Sequence, residues 1–149
     1  MILEQEIKQT KFKSPHQKAV LNLLFTANWI QNKQRELFEP YGITNQQYNI
    51  LRILRGQHPN QISGAEIKNR MLDKNSDVSR LLDRLIAKNL VVKTQCPEDK
   101  RASNVNINNS GLELLQNLDT EINNLDQQLI ALSKEEALQL SSLLDKCRD

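Results

Sequence analysis

The order of the segments between residues 63 and 111 limits the possible folds more than any other part of the sequence. A short capped helix is predicted first, followed by an amphipathic helix from about Asn75 to Lys88. An apolar strand at residues 90–92, a charged turn at residues 96–101 and a second strand at residues 105–107 come next. This order predicts a mainly α fold with a small β-hairpin wing (α+β), as in winged helix-turn-helix modules.

Four capping boxes mark helix starts, because in each a Ser or Thr side chain and a Glu or Gln side chain satisfy free backbone N–H groups. The four pairs are Ser14/Gln17, Thr44/Gln47, Ser63/Glu66 and Ser133/Glu136. With the periodic apolar residues and the breakers Pro40, Gly42 and Gly56, they predict helices over residues 15–39, 45–55, 64–71, 75–88, 112–132 and 134–147. The chain is therefore predicted to be mainly helical.

The composition indicates one soluble globular domain. The 149 residues, 38% hydrophobic and 26% charged, suffice for one domain with a hydrophobic core. No apolar run approaches the roughly 20 residues that span a bilayer, and the N-terminus lacks the pattern of a secretory signal. We therefore expect a single domain over residues 1–149, located in the cytoplasm and without a membrane partner.

The sequence offers little for catalysis. His16 and His58 have no acid–base or metal partners nearby in the sequence, and there is no Gly-rich phosphate loop. Cys96 and Cys147 lie far apart and belong to no CxxC pair. We therefore predict no enzyme activity, no metal site and no cofactor. The cysteines are interpreted as free thiols, with a redox-sensing role for Cys96, near Lys93, as the alternative hypothesis.

Charge is distributed unevenly along the chain. Residues 1–61 carry eight Lys/Arg and four Asp/Glu, residues 62–107 carry nine and six, and residues 108–149 carry three and eight. The excess of positive charge in residues 1–107 indicates a part that faces a polyanion. The acidic residues 108–149 indicate a part that does not face it.

The helix predicted over residues 75–88 has two different faces. One face is apolar, with Val78, Leu81, Leu82 and Leu85, and the other carries Ser76, Ser79, Arg80, Asp83 and Arg84. Small hydroxyls allow close approach to a DNA groove, and arginines reach guanine edges or phosphates. Lys74, Asn75 and Ser76 are predicted at the helix N-terminus, where free N–H groups favour a phosphate, although Asp73 or Asn75 could instead cap the helix. An ordinary solvated face is the alternative interpretation.

The turn between the two predicted strands carries a basic tip. Arg101, next to Lys100, could enter a narrow minor groove, where its charge is favoured. Asp99 could hold the Arg101 guanidinium by a charge-assisted hydrogen bond. A hairpin with a basic tip is usually solvent-exposed and binds no DNA. When it follows a helix whose outer face carries Arg and Ser, it indicates a DNA-binding wing.

A narrow leucine stripe runs through the C-terminal part of the chain. Apolar residues recur every three or four positions from Leu112 to Leu132, which predicts a helix about 30 Å long. With the first and last helices it predicts dimerisation helices at residues 1–40 and 109–149, around a DNA-binding lobe at residues 44–108. A monomeric helical bundle is the alternative. A two-fold dimer would place two recognition helices about 34 Å apart on a near-palindromic site.

The sequence resembles the MarR (multiple-antibiotic-resistance regulator) family. Residues 73–85 and 88–91 are similar to that family's recognition helix and first wing strand, and Asp99-Lys100-Arg101 matches its D-x-R wing signature. Residues 105–112 match the strand-to-helix junction that follows. Two departures are visible. Asn89 replaces the usual Gly before the wing strand and tolerates a left-handed backbone, and Asn108 or Asn109 replaces the usual Thr and can also cap a helix.

The resemblance implies a homodimeric bacterial transcription regulator, most often a repressor, on a pseudo-palindromic double-stranded DNA operator. The recognition helix would enter the major groove and the wing the minor groove. The DNA-binding candidates are Lys74, Asn75, Ser76, Ser79, Arg80, Arg84, Lys100 and Arg101, with Asp99 supporting the wing.

Family members often respond to small aromatic ligands bound between the dimer layer and the DNA-binding lobe. Phe25, Trp29 and Tyr48 are the candidates for such a ligand pocket here, and core or interface roles are the alternative for all three. The family branch that senses peroxide through an N-terminal cysteine is disfavoured, because no cysteine precedes Cys96. The alternative function is a winged-helix protein-interaction dimer that has lost DNA binding, which predicts an acidic or apolar recognition face.

Overall fold

The computed structural model describes residues 1–95, 97–98, 103–129 and 131–149. These residues form helices α1 (Leu3–Glu6), α2 (Pro15–Phe38), α3 (Asn45–Gln57), α4 (Gly64–Arg70), α5 (Val78–Ala87), α6 (Asn109–Leu129) and α7 (Lys134–Lys146), with strands β1 (Ile62–Ser63), β2 (Val91–Gln95) and β3 (Ser103–Ile107). The mainly helical fold with a small wing hairpin is confirmed.

The three strands form one antiparallel sheet in the order β1-β3-β2. Within the wing, Val91 pairs with Ile107 and Lys93 pairs with Val105. The expectation of a two-stranded wing was incomplete, because Ile62 pairs with Val105 on the other edge of β3. A strand of two residues has no alternation to detect, so it arises from its distant partner and not from a local pattern.

Every predicted capping hydroxyl accepts a backbone hydrogen bond. The boxes at Thr44 and Ser133 are complete. Ser14 Oγ accepts the Gln17 N–H at 3.1 Å, while the Gln17 side chain accepts the N–H of the preceding Lys13 at 2.7 Å. Ser63 Oγ accepts the Glu66 N–H at 3.1 Å. These local bonds explain why the helix starts at residues 15, 45, 64 and 134 are where the sequence predicts them.

Several helix boundaries differ from the predictions. Gly56 does not end α3, which runs on to Gln57. The long C-terminal helix is described over Asn109–Leu129, so it begins three residues before the predicted start at residue 112, and Leu132 at the predicted end lies outside it. The N-terminal α1 has only four residues, too few to leave a periodic pattern.

The chain divides into two compact units, residues 1–112 and 113–149. The core of the first unit is mainly aliphatic, as the low aromatic content implies, with Phe38 as a fully buried aromatic side chain. Its other fully buried side chains include Ile50, Leu51, Leu54, Ile67, Leu85 and Val105. In the second unit, Leu115 and Leu118 are fully buried. Across the described residues, no helix is both long and apolar enough to cross a membrane.

An ion pair joins α1 to α2. The Lys18 ammonium donates to the Glu4 carboxylate, and this hydrogen bond lowers the Glu4 pKa. A carboxyl whose pKa is depressed by folding stabilises the fold above its unfolded pKa of about 4.3 and loses that contribution as the pH falls through the folded pKa.

We therefore expect Glu4→Gln to lower the free energy of unfolding slightly near pH 7, and progressively less below about pH 4. Urea unfolding across this pH range measures the difference. The difference should become smaller in a Lys18→Met background, where a backbone hydrogen bond is the remaining cause of the lowered Glu4 pKa. A difference that stays constant with pH would contradict the role of the pair.

Candidate nucleic-acid interface

The turn between α4 and α5 is held by side-chain hydrogen bonds. The Leu72 N–H donates to Asn49 Oδ1 of α3 at 3.0 Å, and Asn49 is 5% exposed. The Asp73 carboxylate accepts the Asn75 N–H at 2.9 Å, and the Asp73 carbonyl accepts the Ser76 N–H at 3.2 Å. The path of the chain into α5 is thus fixed by bonds to Asn49 and Asp73.

Helix α5 begins later than the sequence predicts. Its first residue is Val78 and its N-cap is Asp77, whose Oδ1 accepts the Arg80 N–H at 3.2 Å. The prediction of a helix start near Asn75, capped by Asp73 or Asn75, was therefore wrong. Asp77 is the N-cap because its carboxylate accepts a free helical N–H. The Asp73 carboxylate instead accepts a hydrogen bond within the preceding turn.

The correction moves three candidate residues off the helix N-terminus. Lys74, Asn75 and Ser76 lie in the turn before α5, and the N–H groups of Asn75 and Ser76 are already bonded to Asp73. Lys74 and Asn75 remain exposed. Ser76 is only 3% exposed, so its placement on the outer face was wrong. Within the described part of the chain, its buried Oγ has no hydrogen-bond partner.

The rest of α5 has the two faces that its sequence predicts. Val78, Leu81, Leu82 and Leu85 are buried, whereas Ser79, Arg80, Asp83 and Arg84 are exposed. Arg80 and Arg84 are one helical turn apart and so share a face. Among the described residues, the ion pairs involve neither Arg80 nor Arg84. The structure therefore presents two solvated guanidiniums beside a small hydroxyl.

The base of the wing is tied to the end of α5. Asn89, which replaces the family's usual Gly, has φ +56° and therefore adopts the left-handed conformation that Asn tolerates. The Asn89 N–H donates to the Ile86 carbonyl at 2.9 Å and the Leu90 N–H to the Leu85 carbonyl at 3.1 Å, which is a Schellman motif. The chain leaves α5 in a fixed direction and enters β2.

Asn108 connects this motif to α6. Its Nδ2 donates to the Asn89 carbonyl at 2.8 Å, and its Oδ1 accepts the Gly111 N–H at 2.9 Å. Of the two asparagines considered as caps, Asn108 therefore fills the role. The predicted wing residues Asp99, Lys100 and Arg101, and also Cys96, lie outside the described residues.

The three aromatic candidates for a ligand pocket do not come together. Phe25 and Trp29 line a cavity of about 240 Å³ with Met1, Ile2, Leu3, Glu6, Asn22 and Thr26. Tyr48 instead stacks on Phe38, with ring centroids 4.5 Å apart. The structure thus brings Phe25 and Trp29 together at one cavity and assigns Tyr48 to packing. The contribution of α1 to the cavity was missed, because this helix was not predicted.

Asn49 was also missed at the sequence level, since a lone Asn within a helix carries no signal of a distant partner. Asn49→Ala is expected to lower the free energy of unfolding by about 1–3 kcal/mol, because the Leu72 N–H loses its acceptor. The loss of unfolding free energy should lie toward the lower end of this range. Asn49 Nδ2 is buried without a partner among the described residues, and alanine removes this unsatisfied donor. Urea unfolding measures the change, with the exposed Asn28→Ala on α2 as a control expected to have little effect.

Comparison with known proteins places this arrangement in a family. A sequence model of the MarR family matches residues 41–102. The chain is 26% identical over 122 residues to the HTH-type transcriptional regulator PapX of Escherichia coli, across 78% of this chain and 74% of that protein.

Solved structures extend the likeness over nearly the whole chain. A MarR transcription factor from Planctomyces limnophilus is 32% identical with a TM-score of 0.72, covering 91% of this chain and 98% of that one. The S. aureus MepR–DNA complex has a TM-score of 0.77 at 23% identity, covering 92% and 97%, and shares the fold. With its capped α5, its three-stranded sheet and these relatives, the chain belongs to the MarR family of transcription regulators.

Proposed function

We propose that this protein binds double-stranded DNA sequence-specifically, as a homodimeric repressor on a pseudo-palindromic operator. Helix α5 enters the major groove and the wing enters the minor groove. The observation that carries the proposal is the outer face of α5, where Ser79, Arg80 and Arg84 are exposed above a fully apolar inner face. Arginine over a groove reads guanine edges or binds phosphates, and serine permits close approach.

Exposed apolar side chains support the dimer. Helix α2 of the first unit exposes Val20, Leu23 and Leu24, and α7 of the second unit exposes Leu138, Leu140 and Leu143. Apolar side chains repeated along a helix are costly in water and mark interaction surfaces. Residues 1–40 and 109–149 are therefore proposed as dimerisation helices around a DNA-binding lobe at residues 44–108.

Selection of bound duplexes from a random pool tests the proposal. The expected product is a near-palindrome whose half-site centres lie about one DNA turn apart, with an affinity that falls steeply with salt. Enrichment of a single half-site would contradict the two-fold dimer. A transcription reporter carrying the selected site across its promoter then tests repression, and activation of that reporter would contradict the repressor role.

A winged-helix dimer that has lost DNA binding is the competing function. That function predicts an acidic or apolar outer face on α5, whereas the observed face has two exposed arginines and one aspartate, Asp83. Failure to enrich any duplex, together with no retention of random duplex DNA even at low salt, would favour this alternative.

Arg101 is proposed as the minor-groove residue of the wing, supported by Asp99, as the family resemblance implies. Arg101→Ala is expected to weaken binding nearly uniformly across sites and to reduce the slope of log affinity against log salt by about one per wing. Titrations of two unrelated duplexes at several salt concentrations measure both effects. Unchanged operator affinity at moderate salt would contradict the wing assignment.

A small aromatic effector is the remaining part of the proposal. The cavity between the chain start and α2 is lined by Phe25, Trp29 and Glu6, and its volume of about 240 Å³ suits a single small ring system. Since the chain has one tryptophan, ligand entry should change the emission of Trp29. Phe25→Ala should weaken that response, and Tyr48→Phe should leave it unchanged.

A further inference from the structure

Leu72 is exposed in a place that dimer formation does not explain. Its side chain is 84% exposed, in the turn between α4 and α5. Most other exposed large apolar side chains of the described residues belong to the chain start, α2 or the second unit. Among the described residues of the lobe at residues 44–108, only Leu72 and Val92 of β2 are exposed large apolar side chains.

The backbone at Leu72 is held firmly although its side chain is not packed. Its N–H donates to the buried Asn49 Oδ1, and the preceding Met71 is 2% exposed. On the other side, Asp73 accepts hydrogen bonds from Asn75 and Ser76. The side chain is therefore directed outward by a rigid turn, and a contact made there costs little additional ordering of the backbone.

The surroundings of Leu72 suit DNA better than another protein. The next residues, Asp73, Lys74 and Asn75, are all exposed and polar, and Arg80 follows in the first turn of α5. An isolated apolar group among polar and charged side chains offers too little area for an apolar protein interface. In the major groove, the thymine C5-methyl group is the apolar feature that an aliphatic side chain can recognise.

We propose that Leu72 is a specificity-determining residue that contacts a thymine methyl group in the major groove. This inference rests on the proposed function, since it requires α5 to lie in that groove. The turn before a recognition helix lies close to the base edges, because the N-terminal residues of such a helix make the base contacts.

Deoxyuridine tests the contact directly, because it differs from thymidine only by the missing methyl group. Each thymine of the selected duplex is replaced in turn, and affinities are measured for the wild type and for Leu72→Ala. For the wild type, one thymine in each half-site should lose about fourfold in affinity on replacement, the value of one buried methyl group. For Leu72→Ala, the thymine duplex should already bind more weakly, and the same replacement should cause no further loss.

Leu72→Met is the matched control, because it keeps an aliphatic side chain and should keep the sensitivity to deoxyuridine. Equal losses on every replacement in the wild type and in Leu72→Ala, while Arg80→Ala still lowers affinity, would overturn this inference and leave the proposed function standing. Failure of the wild type to bind any duplex would overturn both.

Discussion

Replacing Gly111 by alanine is expected to destabilise the folded protein by about 3 kcal/mol or more. The added Cβ would lie 2.4 Å from the Leu90 carbonyl oxygen and 2.6 Å from Ile107 Cγ1, both far inside van der Waals contact. The Leu90 oxygen belongs to the backbone and also accepts the Asn108 N–H at 3.2 Å. It cannot rotate away as a side chain would, so either the start of α6 or the base of the wing must move.

Gly56→Ala is the matched control, because it adds the same methyl group in open space. Gly56 lies in the last turn of α3, and a Cβ there would meet nothing within 4 Å. Alanine reduces the freedom of the unfolded chain and favours a helix, so this change should raise the free energy of unfolding by up to about 1 kcal/mol. The two variants thus have opposite expected signs for the same chemical change.

Urea unfolding followed by circular dichroism measures both values. A Gly111→Ala protein within about 0.5 kcal/mol of the wild type would show that the junction yields easily, contrary to the tight contact with Leu90. If the variant folds at low temperature, its affinity for the selected duplex should also fall, because Leu90 leads directly into β2.

Features determined by neighbouring residues were the ones that the sequence could predict. The capping boxes at Thr44 and Ser133 involve hydrogen bonds between residues three apart, so the pattern contains the whole interaction. The exposure of Arg80 and Arg84 follows from helical rotation alone. Both predictions agree with the structure for this reason.

Features that depend on distant partners could not be predicted in this way. Strand β1 exists because Ile62 pairs with Val105, and the turn before α5 is held by Asn49 from another helix. Ser76 was placed on a helix face because the predicted helix started near Asn75, three residues before the true start of α5 at Val78. Which of several cap candidates is used depends on competition between the carboxylates of Asp73 and Asp77, and a sequence pattern cannot resolve that competition.

The aromatic candidates show the same limit at the site. Phe25 and Trp29 lie one helical turn apart on α2, so their meeting at one cavity follows from their spacing. Tyr48 was grouped with them only because it is aromatic, and its ring is used in stacking on Phe38. Residue type alone does not determine which surface a side chain joins.

Arg80→Ala is expected to lower affinity for the selected duplex by about tenfold or more per half-site and to relax base preference at one position. The physical reason is that Arg80 is exposed in the first turn of α5, and among the described residues no ion pair holds it. A bidentate guanidinium–guanine contact is worth about 1–3 kcal/mol of discrimination against the wrong base. Both copies in a dimer lose the contact, so the two losses add on a palindrome.

Arg148→Ala removes the same formal charge from the second unit and is the control for a purely electrostatic effect. Its guanidinium is paired with Asp145, and the change should alter affinity little and base preference not at all. Repeating the duplex selection with each variant separates two roles for Arg80. A relaxed position in each half-site identifies a base contact, because a phosphate contact carries no sequence information. A uniform loss with an unchanged consensus would instead assign Arg80 to the phosphate backbone, and base recognition by α5 would then depend on Ser79 and Arg84.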